Sequence, residues 1–206
     1  MKKRLVKVCG LTSCQDLAFC QDIGVDLTGF IFHPPSPRYI DPVVVGRWEK
    51  KTELRVGVFV HSDIEKIIDT IETARLDLVQ LHGGQDEKVC LSIGPERVMR
   101  VFWPERHVMK DDFEQELDSF KEVCSFYLLD AGTSSGGHGR SIASPWLWDL
   151  ITAKPWFLAG GLSPDNIKGV LDLGMTGLDL NSGVELSPGI KDHDKIRRIM
   201  KIIFDM

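Results

Sequence analysis

With 206 residues, 43% of them hydrophobic and 27% charged, the chain has the balance of a soluble globular protein and enough length for one large core. A formal net charge of -5 argues against a polyanion as partner, and no basic block supports nucleic-acid binding, so no nucleic acid is expected. No run approaches the roughly 20 apolar residues of a membrane span. The five cysteines (Cys9, Cys14, Cys20, Cys90, Cys124) form no CxxC pair, which fits a reducing compartment better than a disulfide framework or a zinc site. Met1-Lys2-Lys3-Arg4 is basic, but only Leu5-Val6 separate it from Lys7, so no signal-peptide core is read and a cytoplasmic location is expected.

Eight short β-like runs follow in order: Arg4–Cys9, Thr28–Phe32, Arg55–Val60, Leu78–His82, Val98–Trp103, Phe126–Asp130, Trp156–Gly160 and Gly177–Asn181. Most are separated by helical pattern, such as Asp63–Ile71, apolar at i, i+3, i+4 and i+7. Ser13, Asp63 and Ser163 (with Pro164 next) read as N-caps, and Gly24 and Gly174 as helix stops. The second and sixth helical segments look short. This alternation predicts βαβ units and a parallel sheet. No linker composition interrupts it, so residues 1–206 read as one domain. A doubly wound sheet competes, but the first turn, Cys9-Gly10-Leu11-Thr12, lacks both GxGxxG and GxxxxGK[ST]. The expected fold is therefore α/β, a single (β/α)8 TIM barrel, near the lower limit of about 200 residues for that architecture.

In such a barrel, ligand chemistry collects where strands end. Cys9 ends the first run. A buried cysteine is usually a small hydrophobe, but here it faces the mouth and would serve as a general base if positive charge pulled its pKa towards neutrality. Lys7 shares its face by the period of two, and a pair between Lys7 and Asp179 in the interior would place that charge beneath the thiol. Arg38 follows Pro34, Pro35 and Pro37, a stiff mount for a guanidinium that grips a carboxylate bidentately; the bland alternative is a solvated surface arginine. His82 is assigned substrate contact only. Asp130, after Phe126-Tyr127-Leu128-Leu129, is either a turn cap or a carboxyl whose pKa rises in an apolar mouth, as a general acid requires. Gly136–Arg140 reads as a loop over the mouth, and Trp146 and Trp148 as packing residues. Late in the chain, Ala159-Gly160-Gly161 and Asn181-Ser182-Gly183 end neighbouring strands in small residues, an arrangement suited to a phosphate clamp.

Together these motifs resemble the phosphoribosylanthranilate isomerase family of tryptophan biosynthesis. The resemblance rests on Lys7-Val8-Cys9-Gly10-Leu11-Thr12, Gly29–Phe32, Ser36-Pro37-Arg38-Tyr39, Val56–Val60, Gln80–Gly83, Leu128–Asp130, Leu158–Leu162 and Asp179–Asp192, in family order. It implies an Amadori rearrangement of a small-molecule substrate, N-(5-phosphoribosyl)anthranilate, with no metal and no organic cofactor, by a monomer or homodimer. It further implies Cys9 as general base, Asp130 as general acid and Arg38 as holder of the anthranilate carboxylate, with Gly160, Gly161, Ser182 and Gly183 around the phosphate. Asp179 and His82 complete the substrate-binding set. Two departures stand out: Ile142–Trp146 replaces the usual Phe-Asp-Trp-like segment, and Asn181 replaces the more usual Ser. A histidine-pathway isomerase would be expected to use two strand-end aspartates, and a ribulose-phosphate epimerase metal-ligand histidines. A non-catalytic phosphate-binding barrel remains as an alternative of another class.

Overall fold

A computed structural model describes residues 4–61, 63–131 and 145–204. Eight strands form a closed, all-parallel barrel: β1 (Leu5–Val8), β2 (Leu27–Ile31), β3 (Leu54–Phe59), β4 (Leu78–Leu81), β5 (Val98–Phe102), β6 (Phe126–Asp130), β7 (Trp156–Ala159) and β8 (Gly177–Leu180), with β8 pairing back onto β1. The expected (β/α)8 architecture is thus present. The read strands match within a residue or two, and Cys9, Phe32, Val60, His82, Trp103, Gly160 and Asn181 lie just past their strands. These positions sit at the rim, where the strands give way to loops.

Alternation divides the strand residues between two cores. Inward positions, among them Leu27, Val56, Leu78, Met99, Val101, Leu128 and Phe157, fill the barrel; outward ones, such as Val6, Val8, Phe30, Val79, Phe102, Leu129 and Leu178, pack beneath the helices. Each such burial contributes roughly 1.5–3 kcal/mol before entropy is counted. Gly177 makes room for the inward ring of Phe157: a Cβ there would lie 2.3 Å from its side chain.

Among the described residues six α-helices occur: α1 (Cys14–Asp22), α2 (Pro42–Arg47), α3 (Ile64–Ala74), α4 (Glu87–Ile93), α5 (Lys110–Ser119) and α6 (His193–Phe204). Ser13 and Asp63 cap α1 and α3 by accepting from the Asp16 and Lys66 amides, and Gly24, at φ +76°, turns the chain after α1. The short second segment is α2, whose C-terminal carbonyls are gathered by the fully buried Arg55. Its guanidinium donates to Val45 O (3.0 Å), Trp48 O (2.8 Å) and Glu49 O (2.8 Å).

Two expectations fail after β7. Ser163 caps no α-helix, and Gly174 ends none: the segment holds a 3-10 turn, Ile167–Val170. Local bonds compete with the helix. Asn166 Oδ1 accepts from the Ser163 amide (2.8 Å) while its Nδ2 donates to Gly161 O (3.0 Å), which draws the segment's start back onto the strand-end loop. Between β6 and β7 the described stretch is likewise a 3-10 helix, Pro145–Asp149, where Trp146 packs on Phe113 (centroids 5.1 Å apart) while Trp148 is exposed. The Gly136–Arg140 loop lies outside the described residues. No helix among the described residues is long and apolar enough to cross a membrane.

Candidate active site

Because all eight strands run parallel, their C-terminal ends share one rim. Cys9, Arg38, His82, Asp130, Gly160, Gly161, Ser182 and Gly183 are all carried by the ends of these strands or the loops that follow them.

Just below the rim, the apolar filling of the barrel gives way to a polar layer. Lys7 and Asp179 are register partners across β1 and β8, and Lys7 Nζ lies 2.8 Å from Asp179 Oδ2 with both side chains buried, as the period of two led one to expect. Lys7 Nζ also donates to Gln80 Oε1 at 2.7 Å. Gln80 Nε2 meets His82 Nδ1 at 3.0 Å, and His82 Nε2 lies 3.6 Å from Asp130 Oδ2. A hydrogen-bonded chain therefore runs Asp179, Lys7, Gln80, His82 across the barrel, and its last ring faces Asp130 across 3.6 Å. Burial pulls the Lys7 ammonium down, but the Asp179 carboxylate and the Cys9 sulfur outweigh it, so Lys7 stays charged. Burial drives the His82 imidazole down to about 4, assisted by Lys7; although 30% of its side-chain surface is exposed, the ring is neutral at pH 7. Asp179 is 6% exposed and directs one oxygen to Lys7, so it sits under the mouth rather than on its surface.

Cys9 is 3% exposed, with Gly29 leaving room for its sulfur: a Cβ there would lie 2.8 Å from Sγ. Its thiol is not pulled towards neutrality. Burial pushes the pKa up, and the opposing pull of Lys7 and Lys191 does not overcome it. Cys20 and Cys124 (each pushed up to about 12) and Cys90 (about 11) are raised by burial and behave as packing residues.

Arg38 is mounted as its prolines suggest, with Ser36 Oγ accepting from the Arg38 amide at 3.1 Å. Its fork is already half occupied. Nε and Nη2 donate to Glu185 at 2.9 and 2.7 Å, which leaves the end-on Nη1/Nη2 edge for a second carboxylate. Glu185 also accepts from Lys191 Nζ (2.8 Å) and the Gly189 amide (3.1 Å). Burial alone would raise its carboxyl, but these hydrogen bonds hold it below the usual range. Lys191 is drawn down, first by its own burial and further by the neighbouring Arg38, because two cations share one carboxylate. Glu185 and Lys191 face each other in a small hairpin, β9 (Glu185–Ser187) with β10 (Ile190–Lys191). Its turn docks on the first βα loop, where Thr12 Oγ1 donates to Gly189 O at 2.6 Å.

The two small-residue loops lie against each other. Gly160 and Gly161 have φ of +113° and +65°, open to glycine and strained for other residues. A Cβ on Gly183 would lie 2.1 Å from Leu162 O, so only glycine allows this approach. Ser182–Val184 form one 3-10 turn, whose first amides have no partner within it. Gln80, Glu185 and Lys191 are polar members of the site that carried no role in the sequence. Gln80 was legible by stepping back two positions from His82 on the same strand; the Glu185–Lys191 pair needed the Pro188-Gly189 turn read as a hairpin.

A family model described as N-(5'phosphoribosyl)anthranilate (PRA) isomerase matches residues 6–202. The N-(5'-phosphoribosyl)anthranilate isomerase of Maridesulfovibrio salexigens is 44% identical over 193 residues, 93% of this chain and 94% of that protein. Among solved structures, the phosphoribosyl anthranilate isomerase of Thermotoga maritima superposes with a TM-score of 0.84 at 32% identity, covering 98% of this chain and all of the other. A further isomerase structure, in complex with reduced 1-(o-carboxyphenylamino)-1-deoxyribulose 5-phosphate, gives a TM-score of 0.80 at 30% identity, covering 98% of this chain and 100% of that one. On the family match and the 44% identity across most of its length, the chain belongs to the N-(5'-phosphoribosyl)anthranilate isomerase family.

Proposed function

We propose that the chain converts N-(5'-phosphoribosyl)anthranilate into 1-(2-carboxyphenylamino)-1-deoxyribulose 5-phosphate by general acid–base catalysis at this mouth. Asp130 gives its proton to the furanose ring oxygen as the C1–O bond breaks, and the anthranilate nitrogen lone pair forms a cationic imine at C1. The imine acidifies C2–H, and the Cys9 thiolate removes that proton. The electron pair left at C2 forms the C1–C2 double bond and neutralises the nitrogen, giving an enolamine that ketonises by losing its C2 hydroxyl proton and gaining one at C1. Proton transfers of this kind supply about 10²–10⁴-fold each, and fixed positioning supplies much of the rest.

The anchors divide by charge. The end-on edge of Arg38 takes the anthranilate carboxylate, with Glu185 holding the guanidinium from the side. The amides around Gly160, Gly161, Ser182 and Gly183 take the phosphate. His82 contacts the substrate between these anchors, and Asp179 acts through Lys7. The observation that supports this reading most is that a thiol and a carboxyl share one rim, joined beneath it by the Lys7–Gln80–His82 chain. The test is a fluorescence assay of purified protein following loss of phosphoribosylanthranilate. Steady turnover supports the isomerase, whereas binding of a phosphosugar without turnover would make the barrel a sensor.

A further inference from the structure

Gln80 is 2% exposed inside the barrel, between two groups with opposite hydrogen-bonding demands. On one side Lys7 Nζ, 2.7 Å from Oε1, can only donate. That contact fixes which way the carboxamide points, because an amide NH2 turned towards an ammonium would set donor against donor. The NH2 group must then face His82, 3.0 Å from Nδ1. An amide NH2 has no acceptor capacity, so Nδ1 must offer its lone pair, and the proton of a neutral ring resides on Nε2. Nε2 is the atom 3.6 Å from Asp130 Oδ2.

We propose that Gln80 is a positioning residue of the isomerase reaction: oriented by the Lys7 ammonium, it locks His82 as the Nε2–H tautomer, so that a neutral donor rather than an imidazolium or a lone pair faces Asp130. This rests on the assignment of Asp130 as the acid. A lone pair at Nε2 would compete for the acid's proton. An imidazolium there would stabilise the carboxylate by full charge and discharge the acid before substrate binds. A neutral N–H does neither: it leaves the carboxyl able to hold its proton and then supports the carboxylate once the proton has gone to the ring oxygen. The other charged groups near the ring are the cations Lys7, Arg100 and Arg106 and the anion Asp179, and Trp103 stands edge-on at 5.7 Å. The cations oppose protonation of the ring, and Gln80 selects the nitrogen.

The test uses long-range 1H–15N correlation on the unliganded protein, with His82 assigned by loss of its signals in His82→Asn. The expected result is an unprotonated Nδ1 and a protonated Nε2 at neutral pH. Gln80→Glu offers acceptors to both neighbours and should move a proton onto Nδ1, while kcat falls by roughly tenfold or more with a smaller change in KM. Should Gln80→Glu not fold, Gln80→Met removes the donor to Nδ1 and should give a tautomer mixture. An Nδ1–H ring in the wild type overturns the proposal, as does an unchanged pure Nε2–H ring in Gln80→Met. A Gln80→Glu protein with a switched tautomer and wild-type kcat overturns it equally. The tautomer is read without turnover, so a wild-type protein inactive on phosphoribosylanthranilate would sink the proposed reaction while leaving the lock itself measured.

Discussion

Cys9 carries a conflict between its environment and its work. Burial beside Gly29 and Lys7 keeps water from the sulfur, yet that same burial raises the thiol's pKa, so the free enzyme holds little thiolate at neutral pH. Thiolate ultraviolet absorbance, read as wild type minus Cys9→Ser across pH, should therefore grow from neutrality into the alkaline range. A difference signal already complete at neutral pH would contradict the raised thiol. Glu185 shows the opposite sign. Its folded-state pKa lies below its ordinary 4.5, so the stability it contributes is fully present above that value and is lost as pH falls through the lowered pKa. Glu185→Gln should therefore flatten the acid limb of a stability-against-pH curve, read by thermal melting, and should weaken substrate binding by freeing Arg38. An acid limb as steep as the wild type's would show that Glu185 is not the titrating group.

At the scale of elements, strands were read more accurately than helices, for a physical reason. Inward and outward faces of each strand are both buried, so apolar runs such as Phe126–Leu129 announce themselves. The segment after β7 shows why helices are harder. Its Ser163-Pro164 start satisfies the usual signals, but Asn166 binds back to Gly161 O and the helix gives way to a single 3-10 turn. That exchange keeps the Gly160–Gly161 loop against the Ser182–Gly183 turn of the next strand. Gly183→Ala drives a methyl to within 2.1 Å of Leu162 O, so the two loops must separate. The expected result is a KM raised roughly tenfold, about 1.4 kcal/mol, with kcat less affected. Unchanged KM would remove these loops from phosphate binding.

For the whole molecule, strand count and order were readable, but the polar layer inside the barrel was readable only in part. Lys7 and Gln80 stand 73 positions apart, and their contact follows from closing the barrel in one register. The Lys7–Asp179 pair could be foreseen because period and strand number bring the first and last strands together; Gln80 and Glu185 depend on distances across the mouth that no local pattern records. That closing pair is also a stability element. Lys7→Met leaves the Asp179 carboxylate buried without its cation, at a cost of about 3–5 kcal/mol. The double variant Lys7→Met/Asp179→Leu should recover much of that stability in denaturant unfolding but little activity, because Cys9 loses the cation beneath it. Recovery of both would make the pair structural alone.

The central claim is that Cys9 and Asp130 divide base and acid work at one mouth. Single-turnover loss of phosphoribosylanthranilate fluorescence by wild type, Cys9→Ala and Asp130→Asn tests it most directly. The account predicts that each substitution slows the chemical step by about a hundredfold or more, while both proteins stay folded and still bind substrate. Either variant turning over at the wild-type rate would contradict it.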